Sequence, residues 1–395
     1  MISSEDNALL TQVGPGTPGG ELLRRYWMPV CALKDLNEND PKKRVRILGE
    51  DLVLFRDAKG NYGLIPEHCP HRHVSLYFGF VEADGIRCPY HGWKFGTDGS
   101  CLEQPFEGGN EALRKQACQT SYPVQQMAGL LFTYMGPAPS PLLPRWETAV
   151  RKDGTRSIAV LPTHNCNWLQ AQENSVDPTH TYYLHGHMLL QKRADNESAA
   201  DVAYFHRPIE AFDFELCIEP AWAGIRKSRV YGGDRPEREL GHPALFPNML
   251  IAPQGKSLTH HFRVPADDSH TNIFWIEFFP TPDGSLVEQA DEDIVVRHIE
   301  HPLGPDGEYE LTTFVGQDLM AWETQGRVYD RSKELTGVSD RGIYMLRNLL
   351  RKQIEAVQAG KDPVGVVRDP AINDVIKFQF SEGQARLARE MEAAE

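Results

Sequence analysis

Between Met28 and about Tyr134 the chain alternates short apolar runs with polar turns. Residues 45–48 (VRIL), 52–56 (LVLFR), 62–65 (YGLI) and 129–134 (GLLFTY) gather β-branched, aromatic and leucine side chains into runs of strand length. Segments 57–60 (DAKG) and 97–100 (TDGS) carry the residues that hairpin turns need. The pattern predicts a small all-β domain over 28–138. Ahead of it, 14–20 (GPGTPGG) interrupts regular structure before a helix-like 21–27 (ELLRRYW), which makes 1–27 a lead segment. Behind it, 137–144 (PAPSPLLP) has the composition of a linker. Over 139–395 helix-like stretches alternate with strands such as 273–279 (IFWIEFF), predicting an α+β domain with an antiparallel sheet. The tail after Pro370 reads as a helix with an acidic end. The fold class expected for the whole chain is α+β.

Composition narrows this little. With 395 residues, 41% hydrophobic and 24% charged, the chain is an ordinary globular one, long enough for two domains. No apolar run approaches the eighteen or so residues needed to span a bilayer, and the first ten lack a basic-then-apolar leader. A cytoplasmic protein with no membrane partner is expected. The net charge of −14 argues against nucleic-acid binding, which rests on Lys and Arg neutralising phosphates, and suits steering of a basic redox partner. Seven cysteines fit a reducing compartment. Cys31, Cys101, Cys118, Cys166 and Cys217 read as core or neutral surface residues.

The remaining two cysteines carry chemistry. Cys69-Pro70-His71 is followed after residues 72–87 by Cys88-Pro89-Tyr90-His91. Two Cys–His pairs can hold one [2Fe–2S] cluster with thiolates on one iron and imidazoles on the other, the Rieske ligation, which raises the potential above that of an all-cysteine cluster. Prolines after both cysteines and Gly92 after His91 suit tight ligand loops. A Cys2His2 zinc site competes, although zinc fingers pair CxxC with HxxxH rather than two mixed halves. His68 and His73 read as loop or surface residues. Val74 and Tyr90 stand where respiratory-chain Rieske proteins place a disulfide, so no stapled loop is expected.

A second constellation runs from Glu173 to His185. On a helix Asp177 and His180 share a face, while His185 lies five residues further on, so the helix must distort or end for the two rings to converge. Two histidines and a carboxylate with open positions form the facial triad of non-haem iron(II) enzymes.

With both motifs the chain resembles the oxygenase component of Rieske non-haem iron ring-hydroxylating oxygenases, in particular the phthalate dioxygenase-like group, whose relatives include O-demethylases of methoxylated aromatic acids. The resemblance extends through 13–18, 22–27, 317–326 and 339–343. It implies a [2Fe–2S] cluster on Cys69, His71, Cys88 and His91, and a mononuclear Fe(II) on His180, His185 and a distant carboxylate. Asp318 is the choice for that carboxylate, with Glu323 and Asp330 in reserve. By the same resemblance Asp177 bridges a cluster histidine of one subunit to an iron histidine of the next, in a trimer or hexamer. A flavin and ferredoxin type reductase delivers the electrons. His73 departs from the small residue that relatives carry at that place.

Arg207, and Arg229 in 224–229 (GIRKSR), are candidate anchors for a small aromatic carboxylate substrate. Tyr182 and Tyr183 could line the pocket. Ring dihydroxylation and O-demethylation both remain open. A non-catalytic electron carrier would need only about the first 140 residues, and a zinc scaffold is a third reading.

Overall fold

Ser3 and Thr17 each cap a helix by accepting an amide of its first turn, opening α1 (Ser4–Thr11) and α2 (Pro18–Leu23). Pro18 sits in the first turn of α2, so that helix starts before the predicted 21–27 and stops at Leu23. Tyr26 and Trp27 then enter the core rather than a helix face. The computed structural model describes residues 2–36, 38–192, 205–232, 237–254 and 257–378. The lead segment is not a loose arm: Asp6 pairs with Arg351 at 2.5 Å, and the Val13 amide donates to Asp268 at 2.8 Å.

The predicted β runs all appear. Strands β1 (Met28–Ala32), β2 (Lys42–Ile47), β3 (Glu50–Arg56), β4 (Tyr62–Pro66), β5 (Phe80–Glu82), β6 (Gly85–Arg87), β7 (Lys94–Phe95), β8 (Cys101–Glu103), β9 (Val124–Met127) and β10 (Leu130–Thr133) make three small sheets, ordered β1-β10-β9, β2-β3-β4 and β5-β6-β7-β8. Asp57 closes its hairpin by accepting the amides of Lys59 and Asn61. A separate small core, with Phe55, Ile65, Leu76, Trp93 and Phe95, lies under the two Cys–His loops.

Segment 137–144 has irregular backbone but is packed rather than free. Leu143 is buried, Trp27 Nε1 donates to the Pro141 carbonyl at 3.0 Å, and the Leu142 amide donates to the Val367 carbonyl. Beyond it lie α4 (Glu147–Val150), β11 (Gly154–Val160) and α5 (Trp168–Val176), with α3 (Glu111–Gln116) earlier in the chain. A π-helix (Thr181–His187) and α6 (Met188–Lys192) follow. The large sheet combines β11 with β12 (Ile209–Ile218), β13 (Ala223–Tyr231), β14 (Glu237–Leu245), β15 (Met249–Gln254), β16 (Ser257–Asp267), β17 (His270–Pro280) and β18 (Val295–His298). Its order is β12-β13-β14-β15-β16-β17-β11-β18, antiparallel except where β18 joins β11. Helices α7 (Phe314–Glu323) and α8 (Arg341–Gln358) complete the domain.

One apolar core runs from the first sheet into the large one. Phe132 on β10 packs against Trp146 and, at 5.7 Å, Phe262 on β16. Among the described residues the tail beyond Asp369 holds a 3-10 turn at Pro370–Ile372; the rest of the expected tail helix, 379–395, lies outside them. Helix α5 is buried almost all round and pinned by polar side chains. Gln170 donates to the carbonyls of Trp322 and Gly326, Gln172 to those of Leu245 and Met249, and Glu173 holds Arg331 and Arg347. At Gly342 a Cβ would stand 2.5 Å from both Phe214 and the Val176 carbonyl, so glycine lets α8 approach the end of α5.

Candidate functional site

The two Cys–His loops share one construction. In each, the cysteine carbonyl accepts the amide four residues on: His73 to Cys69 at 2.9 Å, Gly92 to Cys88 at 3.1 Å. Each turn ends on a residue with positive φ, His73 at 62° and Gly92 at 71°. This is why a small residue belongs at position 73. A histidine there accepts a left-handed backbone that glycine adopts freely, and its ring stacks on His68 with centroids 4.8 Å apart. Cys69 and Cys88 are buried, while His71 and His91 are half-buried with centroids 4.6 Å apart. His71 lies flat on Trp93 at 4.5 Å.

The donor set fits a two-iron group. Burial pushes the Cys69 thiol up to about 12, so a thiolate there needs a bound cation. A tetrahedral zinc would bring all four donor atoms within about 4 Å of one another. Among the described residues such a convergence, within 4.8 Å, occurs only for His180, His185 and Asp318.

That second group is made by a change of helix. α5 ends at Asp177, Pro178 follows, and the chain resumes as the π-helix. Its wider i→i+5 turn brings His185 over His180, with ring centroids 5.2 Å apart, which is the distortion the five-residue spacing demands. Asp318 arrives from α7, its Oδ1 3.4 Å from His185 Nε2. Gln317 beside it accepts from His185 Nδ1 at 2.9 Å and is itself held by donating to the Leu311 carbonyl. His185 therefore carries its proton on Nδ1 and turns a bare Nε2 toward Asp318. Asp318 Oδ1 is buried with no hydrogen-bond partner, as a site shaped for a cation requires.

Asp177 stands behind this group, not in it. Its Oδ2 is 3.4 Å from His180 Nδ1, and its Oδ1 accepts the Thr179 amide and hydroxyl. Burial would raise the Asp177 carboxyl, but the His180 ring beside it and the bonds from Thr179 hold it well below the usual carboxylate range. Lys227 Nζ donates to the Asp177 carbonyl at 3.1 Å, and burial, aided by the Arg229 charge, lowers that amine to about 7.

The reserve carboxylates do not converge. Glu323 accepts the Asn165 amide and the Tyr309 hydroxyl, while Asp330 caps Ser332 and pairs with Lys333. Both expected anchors have partners within the chain. Arg229 is buried beside the site, yet Glu239 takes its Nε at 3.0 Å and Thr181 Oγ1 its Nη1 at 2.7 Å. Arg207 pairs with Glu237 and stacks over Tyr231 at 3.8 Å. In each case the chain supplies the carboxylate that a substrate acid would have offered. Tyr183 points to solvent, and Tyr182 lies against His206. Gln317 and Arg263 were missed; a lone arginine inside the apolar run 262–264 (FRV) was the available signal for the latter.

A family model for the Rieske [2Fe-2S] domain matches residues 26–123, and one described as LigXa C-terminal domain like matches 302–393. Over 389 residues the chain is 38% identical to the 5,5'-dehydrodivanillate O-demethylase oxygenase subunit of Sphingobium sp. (strain NBRC 103272 / SYK-6), spanning 95% of this chain and 86% of that one. The chain belongs to the Rieske oxygenases. It is also similar to the tert-butanol monooxygenase / tert-amyl alcohol desaturase oxygenase subunit of Aquincola tertiaricarbonis, 36% identical over 97% of this chain and 83% of that one. An oxygenase–ferredoxin complex of carbazole 1,9a-dioxygenase shares the fold, with a TM-score of 0.64 and 19% identity over 95% of this chain and 96% of that one.

This oxygenase is thus an enzyme with a Rieske cluster and a mononuclear iron, one component of a system in which a partner protein supplies electrons. The electron-carrier and zinc-scaffold readings fall away. No helix among the described residues is long and apolar enough to cross a membrane.

Proposed function

We propose that this oxygenase acts on a carboxylated aromatic substrate, with its cluster on Cys69, His71, Cys88 and His91 and its iron on His180, His185 and Asp318. The convergence of the last three donor atoms within 4.8 Å carries the reading. The cluster supplies single electrons and the iron supplies the oxidising power toward dioxygen. The chain's own residues do the positioning. Gln317 fixes the tautomer and tilt of His185 through Nδ1. Asp177, with Oδ2 3.4 Å from His180 Nδ1, draws that ring by its charge, while Lys227 and Thr179 hold Asp177 in place. In a trimer, or a hexamer of trimers, Asp177 also faces the neighbouring subunit's cluster. A flavin and ferredoxin type reductase feeds the half-buried edge formed by His71 and His91. Seven cysteines with no disulfide among them support a cytoplasmic location.

A second outcome, O-demethylation, is favoured by the 38% identity to an O-demethylase subunit. Single turnover of chemically reduced enzyme with labelled dioxygen and a panel of benzoate, phthalate isomers and methoxybenzoates separates the two. A diol with two labelled atoms means dioxygenation, and a phenol with formaldehyde means demethylation. Reoxidation of the cluster without any product from the panel would remove the aromatic-acid assignment.

A further inference from the structure

Arg263 follows Phe262 on β16, and strand alternation sends the two side chains to opposite faces of the sheet. Phe262 packs toward the amino-terminal sheet. Arg263 goes to the other face, where its guanidinium carbon lies 6.0 Å from the centre of the Trp322 ring on α7. Its charge is felt by Asp318 and by Lys227, which holds the Asp177 carbonyl. Trp322 stands one turn along α7 from Asp318, so the guanidinium lies on the helix face that carries that carboxylate.

It is also without an acceptor. Arg263 is 2% exposed, its Nε and Nη1 are buried with no hydrogen-bond partner, and no carboxylate among the described residues pairs with it. The six other buried arginines differ. Arg24, Arg226, Arg229, Arg331 and Arg347 each pair with a carboxylate, and Arg156 donates to the Thr148 carbonyl. Asp318 does not serve Arg263, since its Oδ1 lies against His185. Nearby, His164 is fully buried with both ring nitrogens unpartnered, and Trp322 Nε1 is unpartnered too. Burial lowers the Arg263 guanidinium only to about 10, so it stays charged at neutral pH. A buried, charged, forked donor set with no acceptor of its own is the complement of a planar anion.

We propose that Arg263, rather than Arg207 or Arg229, receives the substrate carboxylate, pairing its guanidinium edge with both oxygens and so fixing the ring beside His180, His185 and Asp318. The proposal rests on the oxygenase site described above and adds the residue that selects an acid over a neutral analogue.

Calorimetric titration of anaerobic, iron-loaded holoenzyme with 4-methoxybenzoate and 4-methoxybenzamide tests it. The wild type should prefer the acid. Arg263→Gln should weaken the acid roughly 10- to 100-fold, the worth of a charge-assisted pair, and leave the amide within about twofold. Arg263→Lys keeps the charge but loses the fork, and should weaken the acid about tenfold. Iron content and the cluster's EPR signal should match the wild type in both variants. Equal losses for acid and amide, unchanged acid affinity in Arg263→Lys, or iron loss in both variants would overturn the assignment. So would a wild type that binds the amide as tightly as the acid. An enzyme that turns over labelled dioxygen on a neutral aromatic while ignoring its acid sinks this proposal and spares the oxygenase site; acid binding without turnover on any substrate does the reverse.

Discussion

The two metal-binding regions of this oxygenase are built on opposite plans. The Rieske loops lie between β4 and β5 and between β6 and β7, and each closes on itself through one cysteine carbonyl and one left-handed residue. Their histidines are half-buried, next to the exposed Tyr90. The proposed iron site takes two histidines from a π-turn and a carboxylate from a helix far away; His185 and the Gln317 that orients it are 132 residues apart. Both are laid over a buried helix, α5, that is held by bonds to three other parts of the fold. The difference follows from what each centre must do. A centre that takes electrons from a separate protein has to be reached from outside, and short turns on a small core suffice. A centre that handles dioxygen has to keep coordination positions open and water out, which takes walls from several elements.

The contrast breaks most visibly if the two sites prove dependent on each other. Asp318→Ala should empty the iron site and cost more than the roughly 100-fold that losing an outer-shell partner costs, while the cluster's EPR signal stays as in the wild type. Iron analysis with turnover checks this; a variant that keeps its iron and its rate would remove Asp318 from the site.

Next in size is the support beneath the iron site. Glu173→Ala leaves Arg331 and Arg347 buried without their shared carboxylate, and should cost about 3–5 kcal/mol in unfolding free energy. Burial alone would raise the Glu173 carboxyl, but the two arginines win and hold it below its ordinary value. Its contribution is therefore complete above the unfolded value of about 4.3 and fades as pH falls through the lower folded one. Thermal unfolding of wild type and variant across that range should converge at the acid end; a gap that does not narrow would mean that the carboxylate's charge is not what stabilises.

Gln317→Leu sharpens the comparison at the site itself. Without an acceptor for Nδ1 the His185 ring loses its tautomer, and iron affinity or turnover should fall about 10- to 100-fold. An unchanged iron dissociation constant and rate would show that packing alone orients the ring. The smallest effect belongs to the Rieske loop. His73→Gly relieves a left-handed backbone worth roughly 1–2 kcal/mol, partly offset by a floppier unfolded chain and the lost stack on His68. A gain of up to about 1 kcal/mol in cluster-loaded protein is expected, and a lower melting temperature would show that the ring stack outweighs the backbone.

Much of this was readable before any coordinates. The strands over 45–48, 52–56, 62–65, 129–134 and 273–279 overlap the observed ones, overrunning them by at most a residue at either end, because alternation and turn residues act over a few positions. The helix at 21–27 was misplaced by the draw of an apolar run, whereas Thr17 and Pro18 start the helix earlier and core packing claims Tyr26 and Trp27. The linker was half right: its prolines do forbid regular structure, but Leu143 is a core residue.

By itself the sequence determined what its neighbours can enforce: the two Cys–His turns, the five-residue step between His180 and His185 that requires the helix to distort or end, and the β character of the first domain. Only the tertiary structure decided what depends on meetings between distant segments. It brought Asp318 rather than Glu323 or Asp330 to the histidines, set Gln317 against His185, and left Arg263 buried with no acceptor while Glu239 and Glu237 took Arg229 and Arg207. Which carboxylate meets which cation is a matter of where strands and helices cross, and spacing along the chain carries no record of it.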